Sequence, residues 1–101
     1  MRISVILPAK NEAEGLRRTL PKLREAFPDT EVIVVDDGSS DATALVVTDH
    51  GAMALSSPYS MGNGAAIKRG ARAATGEVVV FMDADGQHDP DDIRMLLSRL
   101  D

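Results

Sequence analysis

The 101-residue chain contains no cysteine and no tryptophan, and it has only one tyrosine and two phenylalanines. The lack of cysteine excludes a disulfide framework and a thiolate metal site. Because aromatic residues are so few, the core has to be built from Val, Ile, Leu, Ala and Met. No apolar run approaches the ~20 residues of a membrane span, and the start lacks a signal-peptide pattern. These absences fit a reducing cytoplasm.

The net charge of −5 argues against nucleic acid or an anionic membrane surface as the main partner. No G-x-G-x-x-G motif follows a predicted strand, and no Walker lysine motif is present. The pair Gly62 and Gly64 precedes a predicted helix, but it is a weak dinucleotide fingerprint. The N-terminus of that helix could still face an anion.

Four apolar segments alternate with four helical patterns. The predicted strands are 2–7, 31–35, 52–56 and 77–82, and the predicted helices are 12–26, 41–49, 64–74 and 90–100. Such alternation implies a parallel sheet with right-handed crossovers. We therefore predict one α/β domain over residues 1–101, a Rossmann-like three-layer sandwich with strand order 3-2-1-4.

Local signals set the expected ends of these elements. Pro8 should stop the first strand because it has no N–H to donate to a ladder. Asn11 and Glu14 are spaced as a capping box for the first helix. Asp41 is a plausible N-cap for the second helix, and Gly51 fits its C-terminal stop.

The strand 77–82 runs directly into a polar cluster that contains Asp83, Asp85 and Gln87. Asp89 and Pro90 are typical of a helix start, which accounts for the later acidic residues. It does not account for Asp83 and Asp85, since charge at a strand end is costly unless it is paired or liganded. Two such carboxylates can face one hard cation, so a metal site and a solvated loop both remain open.

The predicted strand order brings two of the loops together. Ligands of open α/β sheets bind at the carboxyl ends of the strands, where the strand order reverses. This switch point would lie between strands 1 and 4. The loops 8–12 and 83–87 would then flank one crevice, and Asp36 and Asp37 after strand 2 would border it.

Four segments of the chain together resemble one family: Ser4–Glu12, Val34–Asp41, Gly62–Gly70 and Ala74–Pro90. They are similar, in order and spacing, to the family-2 inverting glycosyltransferases of GT-A fold. The pattern D-x-D-x-Q-H-x-P is most similar to the branch that transfers mannose or glucose to dolichol or polyprenol phosphate. The resemblance covers nearly the whole chain and implies that it is the N-terminal, donor-binding half of a GT-A fold.

The resemblance implies a role for particular residues. The implied nucleotide-binding residues are Pro8, Ala9, Glu12, Asp36, Asp37, Asp83 and Ala84. Among them, Asp37 would hydrogen-bond the base and Asp36 would support that turn. A Mg²⁺ or Mn²⁺ ion would be held by Asp83, Asp85 and Gln87. Lys68 or Arg69 could reach the phosphates, although a solvated helix face is the simpler explanation, and Lys10 receives no role.

The implied activity is metal-dependent transfer of a hexose from a donor of the GDP-mannose or UDP-glucose type. The expected acceptor is a polyprenyl phosphate, which would place a cytoplasmic enzyme at the membrane face. Members of the family continue beyond the position of Asp101, so we expect neither the acceptor site nor a catalytic base in this chain. The alternative is a nucleotide-sugar-binding module without transferase activity.

Two further expectations concern other classes and partners. A sugar nucleotidyltransferase would need a glycine-rich, lysine-bearing loop after strand 1, and this chain has no glycine there before Gly15. Strand 77–82 would be an edge strand if nothing follows it, and it carries no lysine or proline to prevent pairing. We therefore expect a homo-oligomer formed through that edge.

Overall fold

A computed structural model describes residues 2–82 and 84, in which strands and helices alternate as the sequence predicts. The elements are β1 (Ile3–Ala9), α1 (Ala13–Ala26), β2 (Glu31–Asp37), α2 (Thr43–Asp49), β3 (Met53–Ser57), α3 (Asn63–Ala73) and β4 (Val78–Phe81). All neighbouring strands pair in parallel, in the order β3-β2-β1-β4. This order confirms the prediction. The helix predicted at 90–100 lies outside the described residues.

The sheet is covered on both faces, because the middle of each central strand is apolar on both of its sides: residues 5–7 of β1 and 32–35 of β2. Val5 and Val34 belong to a core that also contains Leu16 and Leu20 of α1 and residues of α2. Ile6, Ile33 and Val35 of the same strands face the other way and pack against α3. Burial on both faces is typical of parallel strands. The three-layer prediction is confirmed.

Helix α3 lies unusually close to the sheet at one glycine. A Cβ atom added to Gly70 would overlap with Cγ2 of Ile6 and would lie 3.1 Å from Cγ2 of Val35. The absence of a side chain at position 70 therefore permits α3 to pack closely on β1 and β2. The contact also positions the N-terminal end of α3 over the carboxyl ends of β1 and β2.

Strand β1 does not stop at Pro8, contrary to expectation. Pro8 is paired with Val35 of β2 inside the strand. Arg2 and Ile6 accept backbone hydrogen bonds from the β4 side, and in a parallel strand alternate residues face the same neighbour. The backbone nitrogen of Pro8 therefore faces that side too, beyond Ile6 and Phe81, which form the last β1–β4 pair among the described residues.

The capping-box prediction for Asn11 and Glu14 is wrong. Asn11 has a left-handed backbone (φ 54°) and precedes the helix, which begins at Ala13 with Glu12 at the N-cap and no side-chain cap. The spacing of Asn11 and Glu14 did not predict the cap because Asn11 forms its hydrogen bonds with Ser40 and Asp41, which follow β2. Helix α2 begins at Thr43 with Ala42 at its N-cap, one residue after the predicted N-cap Asp41.

The amino-terminal edge of the sheet is held together by Glu31. Its carboxylate accepts hydrogen bonds from the Ser4 hydroxyl (2.8 Å), the Thr75 amide (2.9 Å) and the Thr75 hydroxyl (3.0 Å). The Thr75 backbone hydrogen bond is the main reason why the pKa of Glu31 lies below its ordinary value. This network ties β1 and β2 to the turn that leads into β4, at the end of the sheet opposite the predicted crevice.

Strand β4 is an edge strand within the described part of the sheet. Its residues Val78 to Val80 are only half-buried, and Phe81 is exposed. Self-association through this edge stays a prediction, to be checked by light scattering. No helix formed by residues 2–82 and 84 is both long and apolar enough to cross a membrane.

Candidate functional site

A cleft of about 510 Å³ opens at the carboxyl ends of the strands. It lies between the loop after β1, the end of β2 and the start of α3, with Ala84 on its wall. The residues that line it are Pro8, Ala9, Lys10, Glu12, Asp37, Ser60, Gly62, Asn63, Ala66 and Ala84. The cleft thus brings together five of the residues that were predicted to bind the nucleotide. The volume of the cleft is in the range of small-molecule sites.

Asp37 is the central acidic group of this cleft. It is only 8% exposed, and its carboxylate accepts hydrogen bonds from the Met61 amide (2.7 Å), the Gly62 amide (3.0 Å) and the Ser60 hydroxyl (3.0 Å). The Met61 hydrogen bond is the largest cause that lowers the pKa of Asp37, and the charge of Lys10 adds to it. Asp37 is therefore a fixed anion that holds the loop before α3.

Gly38 allows this loop to come close to β2. Its backbone is left-handed (φ 73°), and an added Cβ would lie 2.5 Å from both the Ser60 nitrogen and the Tyr59 carbonyl carbon. Only glycine tolerates both the conformation and the contact. The glycine of the segment V-D-D-G-S-S-D is thus required by the approach of a second loop, not by its own turn alone.

Asp36 points away from the cleft. It is 6% exposed, and its carboxylate accepts hydrogen bonds from the Ser39 amide (3.1 Å) and from the Ser56 hydroxyl of β3 (3.4 Å). Neighbouring residues of a strand face opposite sides, so Asp36 and Asp37 cannot line the same cavity. Both lie inside β2, which extends two residues further than predicted.

The loop after β1 is fixed by residues that follow β2. The Asn11 side-chain carbonyl accepts hydrogen bonds from the Ser40 amide (2.8 Å), the Ser40 hydroxyl (3.2 Å) and the Asp41 amide (3.3 Å). The Asp41 carboxylate accepts from the Ala13 amide at 3.3 Å and from Thr43. The Thr43 hydroxyl is the main cause that lowers the pKa of Asp41.

The sequence analysis gave no binding role to Lys10, Ser60, Asn63 and Ala66, which also line the cleft. For Gly62 it predicted only that the N-terminus of the following helix could face an anion. Lys10 directly follows two predicted residues, so its position was a usable signal. The others precede or begin α3, and their position after β3 already places them at the carboxyl edge of the sheet. Because these residues are far from β1 along the chain, the sequence did not indicate that they lie close to the loop after β1.

Lys68 and Arg69 do not line the cleft. Both border a smaller neighbouring cavity of about 230 Å³ beside α3. The Arg69 guanidinium donates hydrogen bonds to the Ser56 carbonyl and to the Ser57 hydroxyl, each at 2.9 Å. Arg69 thus attaches α3 to the end of β3, which leaves Lys10 as the cationic side chain on the cleft wall.

The predicted metal ligands Asp83, Asp85 and Gln87 lie outside the described residues. Among residues 2–82 and 84, no group of three or more His, Asp or Glu side chains converges to hold an ion. Ala84, which separates the two aspartates in the sequence, is 2% exposed and contributes to the cleft wall.

Comparison with known proteins identifies the family of this chain. A model of the family described as "Glycosyl transferase family 2" matches residues 4–101. The chain belongs to glycosyl transferase family 2. The undecaprenyl-phosphate mannosyltransferase of Micrococcus luteus is 38% identical to it over 105 residues, covering 96% of the chain and 43% of that protein. The chain spans less than half the length of the curated relatives it matches.

Solved structures of two other proteins match the fold of this chain. Glucosyl-3-phosphoglycerate synthase from Mycobacterium tuberculosis, in complex with Mn²⁺, UDP and glucosyl-3-phosphoglycerate, matches with a TM-score of 0.83 and 30% identity, over 98% of this chain and 39% of that chain. A Pyrobaculum calidifontis mannosyltransferase in complex with GDP-Man and Mn²⁺ matches with a TM-score of 0.76 and 33% identity, over 83% of this chain and 27% of that chain. These matches confirm the predicted GT-A type of fold.

Proposed function

We propose that this chain provides the donor site of a hexosyltransferase that uses a nucleotide sugar. The donor is of the GDP-mannose or UDP-glucose type, and the acceptor is a polyprenyl phosphate at the cytoplasmic membrane face. The observation that carries this proposal is the cleft, which gathers Pro8, Ala9, Glu12, Asp37 and Ala84 at the switch point of the sheet. Family membership and the names of the relatives support the choice of substrates.

Asp37 is suited to recognise the base of the nucleotide. A carboxylate has about four acceptor positions, and three are occupied by Ser60, Met61 and Gly62. One position therefore remains for an N–H group of the base. Because the hydrogen bonds from residues 60–62 already fix the carboxylate, Asp37 loses little side-chain freedom when the ligand binds.

The phosphates of the donor would lie against the cationic part of the cleft. Lys10 borders it from the loop after β1, and Gly62 and Asn63 border it at the N-terminus of α3. Both features favour an anion, one through its charge and the other through the helix dipole. Glu12 and Pro8 would then face the ribose and base.

The proposed metal is Mg²⁺ or Mn²⁺, held by Asp83, Asp85 and Gln87. Two carboxylates and one amide oxygen are the hard ligands that these ions take, and Ala84 at the cleft wall lies between the two aspartates in sequence. When bound, the ion would supply positive charge that stabilises the departing diphosphate.

The proposed reaction exchanges one bond at the anomeric carbon of the hexose. An oxygen of the acceptor phosphate forms a bond to that carbon, and the bond from the carbon to the diphosphate oxygen breaks. The electron pair leaves with the nucleoside diphosphate, which stays in the cleft against Asp37 and Lys10. Because the attacking phosphate oxygen is already anionic, no base in this chain has to remove a proton from it.

The test is a calorimetric titration with GDP, GDP-mannose, UDP and UDP-glucose, with and without Mn²⁺. We expect metal-dependent binding of either the guanine or the uracil compounds, and loss of binding in Asp85→Ala. The matched control is Asp49→Ala, which removes an exposed aspartate at the end of α2.

Binding of no nucleotide at millimolar concentration would contradict a donor site in this chain. Equal loss of binding in both variants would contradict the role of Asp85. Donor binding without transfer to polyprenyl phosphate would favour the alternative, a nucleotide-sugar-binding module.

A further inference from the structure

Asn11 has a backbone conformation that needs an explanation. It is a non-glycine residue of the described chain with a left-handed φ of 54°. Asparagine tolerates this conformation better than most residues, but the conformation still persists only where surrounding contacts impose it. Here the contacts are long-range: the side-chain carbonyl accepts three hydrogen bonds from Ser40 and Asp41, and the Asn11 amide donates to the Ser39 hydroxyl (2.9 Å).

The next two amides of the chain are held by the same part of the molecule. The Glu12 amide donates to the Thr43 hydroxyl (3.2 Å), and the Ala13 amide donates to the Asp41 carboxylate (3.3 Å). Thr43 is completely buried and itself donates to Asp41. These bonds satisfy first-turn amides of α1 that lack a local cap. Three consecutive amides, from Asn11 to Ala13, are thus fixed by residues that follow β2.

The residues on either side of Asn11 are the polar groups that the loop between β1 and α1 presents to the cleft. Lys10 and Glu12 both line it, whereas Asn11 turns toward residues 39–41. The left-handed turn at Asn11 sends its own side chain away from the cleft and directs its two neighbours into it. The position of a cation and a carboxylate in the cleft therefore depends on Asn11 and Asp41.

We infer that Asn11 and Asp41 are positioning residues for the donor nucleotide, acting through Lys10 and Glu12. This inference rests on the proposed function, because it concerns the same cleft. Holding these groups in place before the ligand arrives removes part of the ordering cost of binding. The network joins the two loops that follow the neighbouring strands β1 and β2, so it holds the loop after β1 from the side that faces away from the cleft.

The experiment compares Asn11→Gly with Asn11→Asp. Glycine accepts the left-handed backbone without strain but removes the carbonyl, whereas aspartate keeps an oxygen that can accept the same amides. The control is Glu31→Gln, which disrupts a network of similar size at the opposite end of the sheet. For each protein we would measure the Kd for GDP and UDP with Mn²⁺, the Tm, and the hydrogen exchange of amides in 10–14 and 39–43.

We expect Asn11→Gly to raise the Kd at least about fivefold, Asn11→Asp to recover most of that loss, and Glu31→Gln to lower the Tm without changing the Kd. Exchange should rise in both segments in Asn11→Gly alone. If Asn11→Gly lowers the Tm but keeps the wild-type Kd, the residue is merely structural and the inference fails. If the wild-type chain binds no nucleotide, the proposed function fails, and unchanged exchange in Asn11→Gly would overturn the positioning role separately.

Discussion

The carboxylate of Asp37 offers the sharpest test of how the cleft is built. In Asp37→Asn the side chain keeps its shape but replaces one oxygen with an NH₂ group. Either orientation of the amide places this donor against the backbone N–H of Met61 or of Gly62, because the two oxygens accept from these two amides separately. The variant thus loses the negative charge of the carboxylate, and its NH₂ group faces a backbone N–H group, so that two donors meet in a buried place.

The expected cost follows from these bonds. A hydrogen bond to a charged group contributes about 1.5–3 kcal/mol, and a buried amide left unsatisfied costs about 1–3 kcal/mol. Since the Ser60 hydroxyl can rotate to donate or accept, we expect a net loss of about 2–3 kcal/mol at pH 7. For a chain of this size that corresponds to a fall in Tm of roughly 10–20 °C. Urea denaturation monitored by circular dichroism would measure it.

The pH dependence of this loss identifies its source. The pKa of Asp37 is lowered in the folded protein, so the carboxylate stabilises the fold above its unfolded pKa, about 3.9. This contribution disappears as the pH falls through the lower, folded pKa. The gap in stability between the wild type and Asp37→Asn should therefore narrow from pH 7 to pH 2.5. Asp41 and Glu31 also have lowered pKa values, so the loss of their contribution at low pH reduces the stability of the wild type and of Asp37→Asn alike.

Two results would refute this reasoning. Equal stability of wild type and Asp37→Asn at pH 7 would show that the three hydrogen bonds contribute nothing net. An equally large difference at pH 2.5 would show that the loss comes from altered packing and not from the charge. Asp29→Asn, at an exposed turn position between α1 and β2, provides the control and should change the free energy of unfolding by less than about 0.5 kcal/mol.

Two other substitutions test a close backbone contact beside the cleft and a buried hydroxyl in α1. Gly38→Ala should cost about 2–4 kcal/mol in urea denaturation, since its Cβ would meet the backbone of residues 59–60, whereas Gly64→Ala, which meets nothing within 4 Å, should be neutral or stabilising. Thr19→Val should raise the free energy of unfolding by about 1 kcal/mol, because the buried Thr19 hydroxyl has no partner among the described residues. A loss of stability in Thr19→Val would indicate that this hydroxyl is bonded after all.

The repeating apolar segments determined the fold class and the strand order without help from the structure. Segments such as 32–35 are apolar on both faces, which a sheet covered on both sides explains. Alternation with helices then requires parallel strands, and the handedness of the crossovers limits their order. The cleft could be placed from the same pattern, because the position of Pro8, Asp37 and Ala84 relative to strand ends decides which edge they share.

The tertiary structure decided what each polar residue at that edge does. The spacing of Asn11 and Glu14 suggested a local cap, yet Asn11 is bonded to residues 39–41, which lie about thirty positions away. Lys10 lines the cleft although the sequence gave it no role, and Arg69 does not line it because its partners are Ser56 and Ser57 at the end of β3. Hydrogen bonds and charges act over a few ångströms in space, whereas local patterns register only neighbours along the chain. Partners separated by whole secondary-structure elements therefore become visible only once the sheet has brought their loops together.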